Sequence, residues 1–141
     1  MSALDAIKVN VETPTGNSVN AETLTGNVEP LLHEIRHALK RLAAGEDGTV
    51  IDLKSLPMAP GEEQRIESAL GEGEVRAELQ ALGPTVVQET EYPGVWLVTH
   101  RNAENEVVAR FIEVTRMPEI LMAQHEDIER GIEKLESELQ E

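Results

Sequence analysis

The chain has 141 residues, of which 12 are lysine or arginine and 27 are aspartate or glutamate, so its formal net charge is −15. A field of that sign repels phosphate backbones and anionic lipid, which argues against nucleic acid and bare membrane as partners. Cysteine is absent, which excludes disulfides, thiolate catalysis and cysteine-held zinc or iron–sulfur sites.

The first 27 residues are rich in Thr, Asn and Gly, and they contain a near-repeat. The string Glu12-Thr13-Pro14-Thr15-Gly16-Asn17 returns ten positions later as Glu22-Thr23-Leu24-Thr25-Gly26-Asn27. Two copies are too few for a solenoid, so residues 1–27 are predicted to be a flexible leader with Gly-Asn turns. This segment lacks the basic start and apolar stretch of a secretory signal, and we therefore expect a cytoplasmic protein.

Two helices are predicted next. In residues 28–44 the apolar side chains recur at helical spacing, and Pro30 lies in the first turn, where no internal donor is lost. Asn27 is in position to cap the start of this helix, and Gly45 ends it. A second helix is predicted over residues 61–70. Between the two, the short β-like run at residues 49–53 is a candidate fifth strand.

Four β-rich runs follow, at residues 74–82, 85–92, 95–101 and 106–115. The turns between them are short, and short connections force antiparallel neighbours, so these runs predict a four-stranded meander. Helices at both ends of an antiparallel sheet make the predicted fold class α+β. We expect residues 28–141 to form a single domain of this class.

A final helix is predicted from Pro118 nearly to the end of the chain. Its five apolar positions are Leu121, Ile128, Ile132, Leu135 and Leu139, and His125 takes the missing step of a 4-3-4-3-4 spacing. Such a narrow stripe suits either packing on the sheet or a helix–helix seam with a second copy, which would make a homodimer. We expect packing within the chain, because five apolar positions fall short of a sustained coiled coil.

One short motif has a catalytic pattern, since His33-Glu34-Ile35-Arg36-His37 matches H-E-x-x-H. Histidines at i and i+4 lie one above the other on a helix and can bind one zinc ion, with the glutamate as base for bound water. A zinc-dependent hydrolase is therefore one alternative function. The predicted helix argues against it, because His33 and His37 fall roughly opposite the apolar stripe and face solvent.

A series of short strings occurs in order across residues 25–122. They are Thr25-Gly26-Asn27-Val28 with Leu31-Leu32-His33-Glu34-Ile35, Ile51-Asp52-Leu53 with Leu56-Pro57, Leu70-Gly71-Glu72-Gly73-Glu74-Val75, Val87-Gln88-Glu89-Thr90 with Tyr92-Pro93-Gly94-Val95-Trp96, and Phe111-Ile112-Glu113-Val114 with Pro118. The third string is the most distinctive. Taken in this order, they resemble the hydrogenase expression/formation proteins of the HupH, HyaF and HoxQ type.

The resemblance implies an accessory role in maturing the small subunit of uptake [NiFe]-hydrogenases. Members are expected to bind and shield the small-subunit precursor before export, beside a thioredoxin-like companion protein. The family has no accepted catalytic residues, so the resemblance implies neither enzyme activity nor a cofactor. A purely structural or oligomerisation domain, with the last helix as its seam, is a further alternative.

Two segments contain the candidate partner contacts. The first is the acidic, glycine-containing loop Glu72-Gly73-Glu74. In the second, Tyr92 and Trp96 flank the Pro93-Gly94 turn, and Tyr and Trp are frequent anchors at protein interfaces. Both segments also have structural explanations, because glycine ends helices and a single Trp in a small domain usually belongs to the core.

Overall fold

The computed structural model describes residues 26–80 and 83–140, and within these ranges three α-helices accompany a five-stranded antiparallel sheet. The helices are α1 (Val28–Ala43), α2 (Glu62–Leu70) and α3 (His125–Leu139). The strands are β1 (Thr49–Asp52), β2 (Arg76–Gln80), β3 (Pro84–Glu89), β4 (Val95–Arg101) and β5 (Val107–Val114). Short 3₁₀ turns occupy Leu53–Ser55 and Glu119–Leu121. The predicted leader lies outside the described residues, apart from its last two.

The sheet has the strand order β1-β5-β4-β3-β2. Strands β2 to β5 form the predicted meander, in which each strand pairs antiparallel with the next. Strand β1 adds to the far edge, where Thr49 lies opposite Val114 and Asp52 opposite Phe111. The α+β class is thus confirmed, and the candidate fifth strand is part of the sheet.

Helices α1 and α2 pack on one face of the sheet, which we name the helix face. The apolar stripe of α1 forms because its side chains recur every three or four residues and so line one side of the helix. The main buried cluster contains Val28, Leu31, Leu32, Ile35 and Ala38 from α1, Ile66, Ala69 and Leu70 from α2, and Ile51, Leu53, Val95, Ile112 and Val114 from the sheet and its connections. Burial of each larger side chain contributes about 1.5–3 kcal/mol.

The opposite face of the sheet, which we name the open face, has a smaller apolar cluster. Val87, Trp96 and Val98 are buried there, and they lie side by side on β3 and β4 because alternate residues of a strand share a face. Phe111 from β5 and Leu121 from the second 3₁₀ turn are partly buried against them.

A buried carboxylate joins the start of α2 to the start of α1. The Glu62 side chain is fully buried, and its Oε1 accepts the N–H of Ala59 at 2.9 Å. Its Oε2 accepts the N–H groups of Gly26 and Asn27 at 3.0 and 3.3 Å. These contacts satisfy N–H groups of the segments that lead into the two helices.

The prediction that the Asn27 side chain caps α1 is wrong. Asn27 occupies the N-cap position, but its backbone is helical, with φ −84° and ψ −10°, whereas a capping side chain needs an extended backbone. Its side-chain amide instead donates to the carbonyl oxygen of Pro57 at 2.9 Å. Asn27 therefore ties the start of α1 to the segment that precedes α2.

The final helix differs from the prediction in both its start and its packing. Pro118 leads into a 3₁₀ turn, and the extended residues Met122 and Gln124 separate that turn from α3. Helix α3 buries none of its side chains against the described part of the chain, so the expectation that it packs on the sheet is wrong. Helices α1 and α2 already fill the helix face. On the open face, the predicted stripe contributes one packed apolar side chain, that of Leu121.

Among the described residues, no helix combines the length and apolar character needed to cross a bilayer.

Candidate functional site

The loop Glu72-Gly73-Glu74 packs its backbone against the end of β3. The N–H of Gly73 donates to the carbonyl oxygen of Glu89 at 2.7 Å, and a Cβ at this position would overlap the carbonyl oxygen of Thr90. Glycine at position 73 therefore allows the loop to approach the strand closely. The side chains of Glu72 and Glu74 remain exposed.

The Tyr92-Pro93-Gly94 turn connects β3 to β4 and is held by local hydrogen bonds. The N–H of Val95 donates to the carbonyl oxygen of Tyr92 at 2.9 Å, and the hydroxyl of Thr90 donates to the carbonyl oxygen of Val95 at 2.9 Å. Gly94 has φ +94°, a backbone conformation that favours glycine. Tyr92 packs partly against the main cluster, and this burial, together with the charge of Glu91, raises the pKa of its hydroxyl.

The structure brings these two predicted segments together at one end of the sheet. The N–H of Glu91 donates to the carbonyl oxygen of Leu70 at 2.9 Å, which joins the turn after β3 to the loop after α2. The exposed carboxylates of Glu72, Glu74 and Glu91 lie around this junction. We name this surface the acidic end, and it comprises residues 72–74 and 91–94.

Trp96 is separate from the acidic end, although it follows the turn closely in sequence. Its side chain points to the open face, where it is 4% exposed, and its Nε1–H donates to the carbonyl oxygen of Thr115 at 3.0 Å. A buried Trp with a hydrogen-bonded indole has a packing role. Contact between Trp96 and a partner stays a prediction.

A groove of about 550 Å³ crosses the open face, and we name it the open-face groove. Its walls combine apolar and polar side chains, namely Val50, Val98, His100, Phe111, Glu113, Glu119, Ile120 and Gln124. His100 is fixed at the groove by the Thr85 hydroxyl, which lies 2.8 Å from its Nδ1, and by an edge contact with the Phe111 ring at 5.8 Å.

The carboxyl group of Glu113 is partly buried in the open-face groove. Burial raises the pKa of its carboxyl above the ordinary value of 4.5, His100 lowers it, and the nearby Glu119 raises it. The groove therefore combines apolar walls with two carboxylates that repel each other. Such a lining favours a cationic or mixed apolar–cationic group.

The H-E-x-x-H motif lies on α1, which packs on the helix face of the sheet, opposite the open-face groove. His33 is half-buried and His37 is exposed, in keeping with the predicted solvent-facing side of the helix. The guanidinium of Arg36 lies 3.3 Å from Nδ1 of His33 and 3.5 Å from Nε2 of His37. A fixed positive charge beside both rings opposes a zinc ion there, because like charges repel. Within the described ranges, no cluster of three or more His, Cys, Asp or Glu residues is arranged to hold a metal ion.

The sequence predicts both segments of the acidic end as candidate contacts, but it does not predict the open-face groove. The groove draws its lining from β4, β5 and the second 3₁₀ turn, which follow one another in the chain, and from β1, which is distant from them in sequence. The sequence contains one indication of this groove. The string Phe111-Ile112-Glu113-Val114 places apolar side chains on both faces of a strand, with a single carboxylate among them. That pattern indicates a second, partly buried face.

Comparisons with known proteins agree with each other. The sequence model of the family described as "HupH hydrogenase expression protein, C-terminal conserved region" matches residues 25–141. Similar curated proteins include the hydrogenase expression/formation protein HoxQ of Azotobacter vinelandii, 32% identical over 111 residues, and HupH of Rhizobium leguminosarum bv. viciae, 32% identical over 101 residues. These matches cover 77% and 72% of this chain but 39% and 36% of the relatives, so the chain spans less than half of their length.

A solved structure is also similar. The hydrogenase expression protein HupH from Thiobacillus denitrificans superposes with a TM-score of 0.76 at 38% sequence identity. The superposition covers 82% of this chain and 97% of that one. Fold and sequence therefore point to the same group of proteins.

Proposed function

This chain belongs to the HupH hydrogenase expression protein family, through that family's C-terminal conserved region, and from this premise we propose that it is an accessory protein in hydrogenase maturation. Family membership is the observation that carries the proposal. We infer that the role is one of binding rather than catalysis, with no cofactor, and that the protein acts in the cytoplasm, before its partner is exported.

The finer part of the proposal is that the protein binds and shields the precursor of a [NiFe]-hydrogenase small subunit. The absence of cysteine in the sequence supports a binding role, since no thiol is available to hold or transfer a cluster. The net charge of −15 supports a basic partner segment, because opposite charge accelerates encounter. A thioredoxin-like companion is a second proposed partner, and residues 28–141 are proposed to act as one domain.

The acidic end is the proposed contact surface for the precursor. Its exposed carboxylates, on Glu72, Glu74 and Glu91, stand on a backbone fixed by hydrogen bonds to the end of β3 and to α2. Such a rigid, charged surface loses little conformational entropy on binding. Tyr92, Pro93 and Gly94 add a partly apolar rim.

Capture from hydrogenase-producing cells tests this proposal. The tagged chain, expressed where the small subunit is made, is expected to retain the unprocessed small subunit at low salt, as identified by mass spectrometry. Glu72→Lys is expected to reduce the captured amount several-fold. The matched control is Glu104→Lys, an equal charge change on an exposed residue of the β4–β5 turn at the opposite end of the sheet.

Two results would count against the proposal. Failure to recover the small subunit, with the subunit shown to be present in the cells, would exclude stable binding. Equal effects of Glu72→Lys and Glu104→Lys would show that net charge, and not the acidic end, governs capture.

A further inference from the structure

Helix α3 presents an apolar stripe to solvent. Its four apolar side chains are all about half exposed or more: Ile128 49%, Ile132 51%, Leu135 58% and Leu139 76%. The stripe extends over about 16 Å, at 1.5 Å per residue. Contiguous exposed apolar surface of this kind marks an interaction site in a soluble protein.

Acidic side chains border the stripe on both sides. At about 100° per residue, Glu129 and Glu136 flank one side of the stripe, and Asp127 and Glu138 flank the other. The basic residue Arg130 falls on the far side of the helix, and Lys134 lies on the same flank as Asp127, about 20° further from the stripe. Two of these acidic side chains form ion pairs within α3. Asp127 pairs with Arg130, and Oε2 of Glu129 lies 3.3 Å from Nε2 of His125.

This border argues against a second copy as the occupant of the stripe. Two α3 helices packed along their stripes would place glutamates against glutamates at the flanking positions, where opposite charges stabilise a pair and like charges oppose it. The same border opposes an anionic lipid surface. Each copy also has a net charge of −15, which adds long-range repulsion.

We propose that α3 is a docking helix for an amphipathic helical segment of a partner protein, whose apolar face is bordered by lysine or arginine. Apolar side chains supply the area and the acidic borders select the charge of the occupant, as in other helix-to-helix recognition. The inference stands on α3 alone, so it is tested separately from the hydrogenase role.

The open-face groove lies directly beside the start of α3. Gln124 lines the groove and is also the N-cap residue of α3. The groove has exposed apolar side chains, on Val50 and Ile120, and two carboxyl groups, on Glu113 and Glu119. The groove next to the start of α3 therefore has the same combination of apolar and acidic groups as the helix itself.

Synthetic peptides test the proposal with the full chain. The probe is an amphipathic peptide of about 18 residues, five helical turns, with a leucine stripe bordered by lysine and arginine. The control peptide has glutamate in place of each basic residue. We expect calorimetry to detect the basic peptide and to give at least tenfold weaker binding for the acidic one, on the order of 1.4 kcal/mol. Bound basic peptide should also slow amide exchange in α3.

Two pairs of variants localise the binding. Ile132→Ala with Leu135→Ala should weaken binding about tenfold or more, because apolar area is lost while alanine preserves the helix. Glu136→Lys, beside the stripe, should weaken it about fivefold more than Glu133→Lys, an equal charge change on the side away from the stripe.

The proposal is overturned by any of four results. These are equal binding of both peptides, unchanged binding after the double alanine substitution, equal effects of the two lysine variants, or occupancy of the stripe by another surface. The last would show as a dimer in sedimentation that the double alanine variant dissociates, or as binding to phosphatidylserine vesicles that it abolishes.

Discussion

At the scale of single residues, Glu62 holds together the starts of two helices. Its buried carboxylate accepts three backbone N–H groups, from Ala59, Gly26 and Asn27. Glu62→Ala would leave these donors without that acceptor, and we expect a loss of about 3 kcal/mol of unfolding free energy. Urea denaturation followed by the fluorescence of Trp96, the single Trp of the chain, measures it.

The control for this prediction is Glu34→Ala, on the exposed side of α1. It should change the unfolding free energy by less than about 0.5 kcal/mol. Similar effects of the two substitutions would contradict the structural role assigned to Glu62.

Two glycines offer the same substitution with different expected results. Gly73→Ala would push a methyl group into the carbonyl oxygen of Thr90, which we expect to destabilise the protein by about 1–3 kcal/mol.

The second glycine, Gly131, lies in α3, and a Cβ at this position meets nothing within 4 Å in the described structure. Gly131→Ala should therefore raise the helix content of the protein, because alanine has a higher helix propensity than glycine. Urea denaturation and circular dichroism report the two effects. If Gly73→Ala left the unfolding free energy unchanged, the close approach of Gly73 to the carbonyl oxygen of Thr90 would be disproved.

Glu113 gives a pH dependence whose sign follows from its environment. Burial raises the pKa of this carboxyl above 4.5, with His100 lowering it and Glu119 raising it, so the folded state binds the proton more tightly than the unfolded chain. The stability that this group contributes is complete below pH 4.5 and is lost as pH rises through the raised pKa.

Glu113→Gln mimics the neutral carboxyl, so the variant should be more stable than the wild type at neutral pH. The gain should shrink as pH falls toward 4.5. Urea denaturation at a series of pH values measures it, with Glu104→Gln as a control that shows no such trend. A variant that is less stable at neutral pH would contradict the prediction.

At the scale of secondary-structure elements, α1 and α3 have similar amphipathic patterns but different surroundings. Helix α1 buries its stripe in the main cluster, whereas α3 buries no side chain against the described residues. A helix of 15 residues without packing is marginally stable in water. We therefore expect α3 amides to exchange with deuterium far faster than those of α1, as measured by mass spectrometry at low micromolar concentration. Equal protection of the two helices would show that α3 is packed in solution.

Periodicity and turn signals in the sequence located most elements closely. The sequence predicts the first helix over residues 28–44, and it spans Val28–Ala43; it predicts the last strand over residues 106–115, and that strand spans Val107–Val114. Local patterns predict these elements because each depends on neighbouring residues. The packing of α3 was not predictable in this way, since an apolar stripe does not specify what covers it.

The same limit applies to the sites. Both segments of the acidic end are short strings with turn chemistry, so the sequence identified them. Val50, His100 and Glu119 meet in the open-face groove only after β1 pairs with β5, a contact between residues far apart in the chain. The position of the Arg36 guanidinium between two histidines likewise depends on a side-chain conformation that helical spacing does not fix.

At the scale of the whole molecule, the charge of −15 is concentrated on the surfaces proposed for binding. Helix α3 has six acidic residues and two basic ones, and the acidic end and the open-face groove add further carboxylates. Exposed charges of this kind act mainly on the rate of encounter and are screened by salt. The charge of all three surfaces is complementary to a basic partner.

The central claim is that this protein binds the precursor of a hydrogenase small subunit. Calorimetric titration of the purified chain with purified precursor tests it most directly. We predict saturable binding at about 50 mM NaCl that weakens severalfold at about 300 mM, as the Debye length shortens. Absence of binding to folded precursor at the lower salt concentration would contradict the claim.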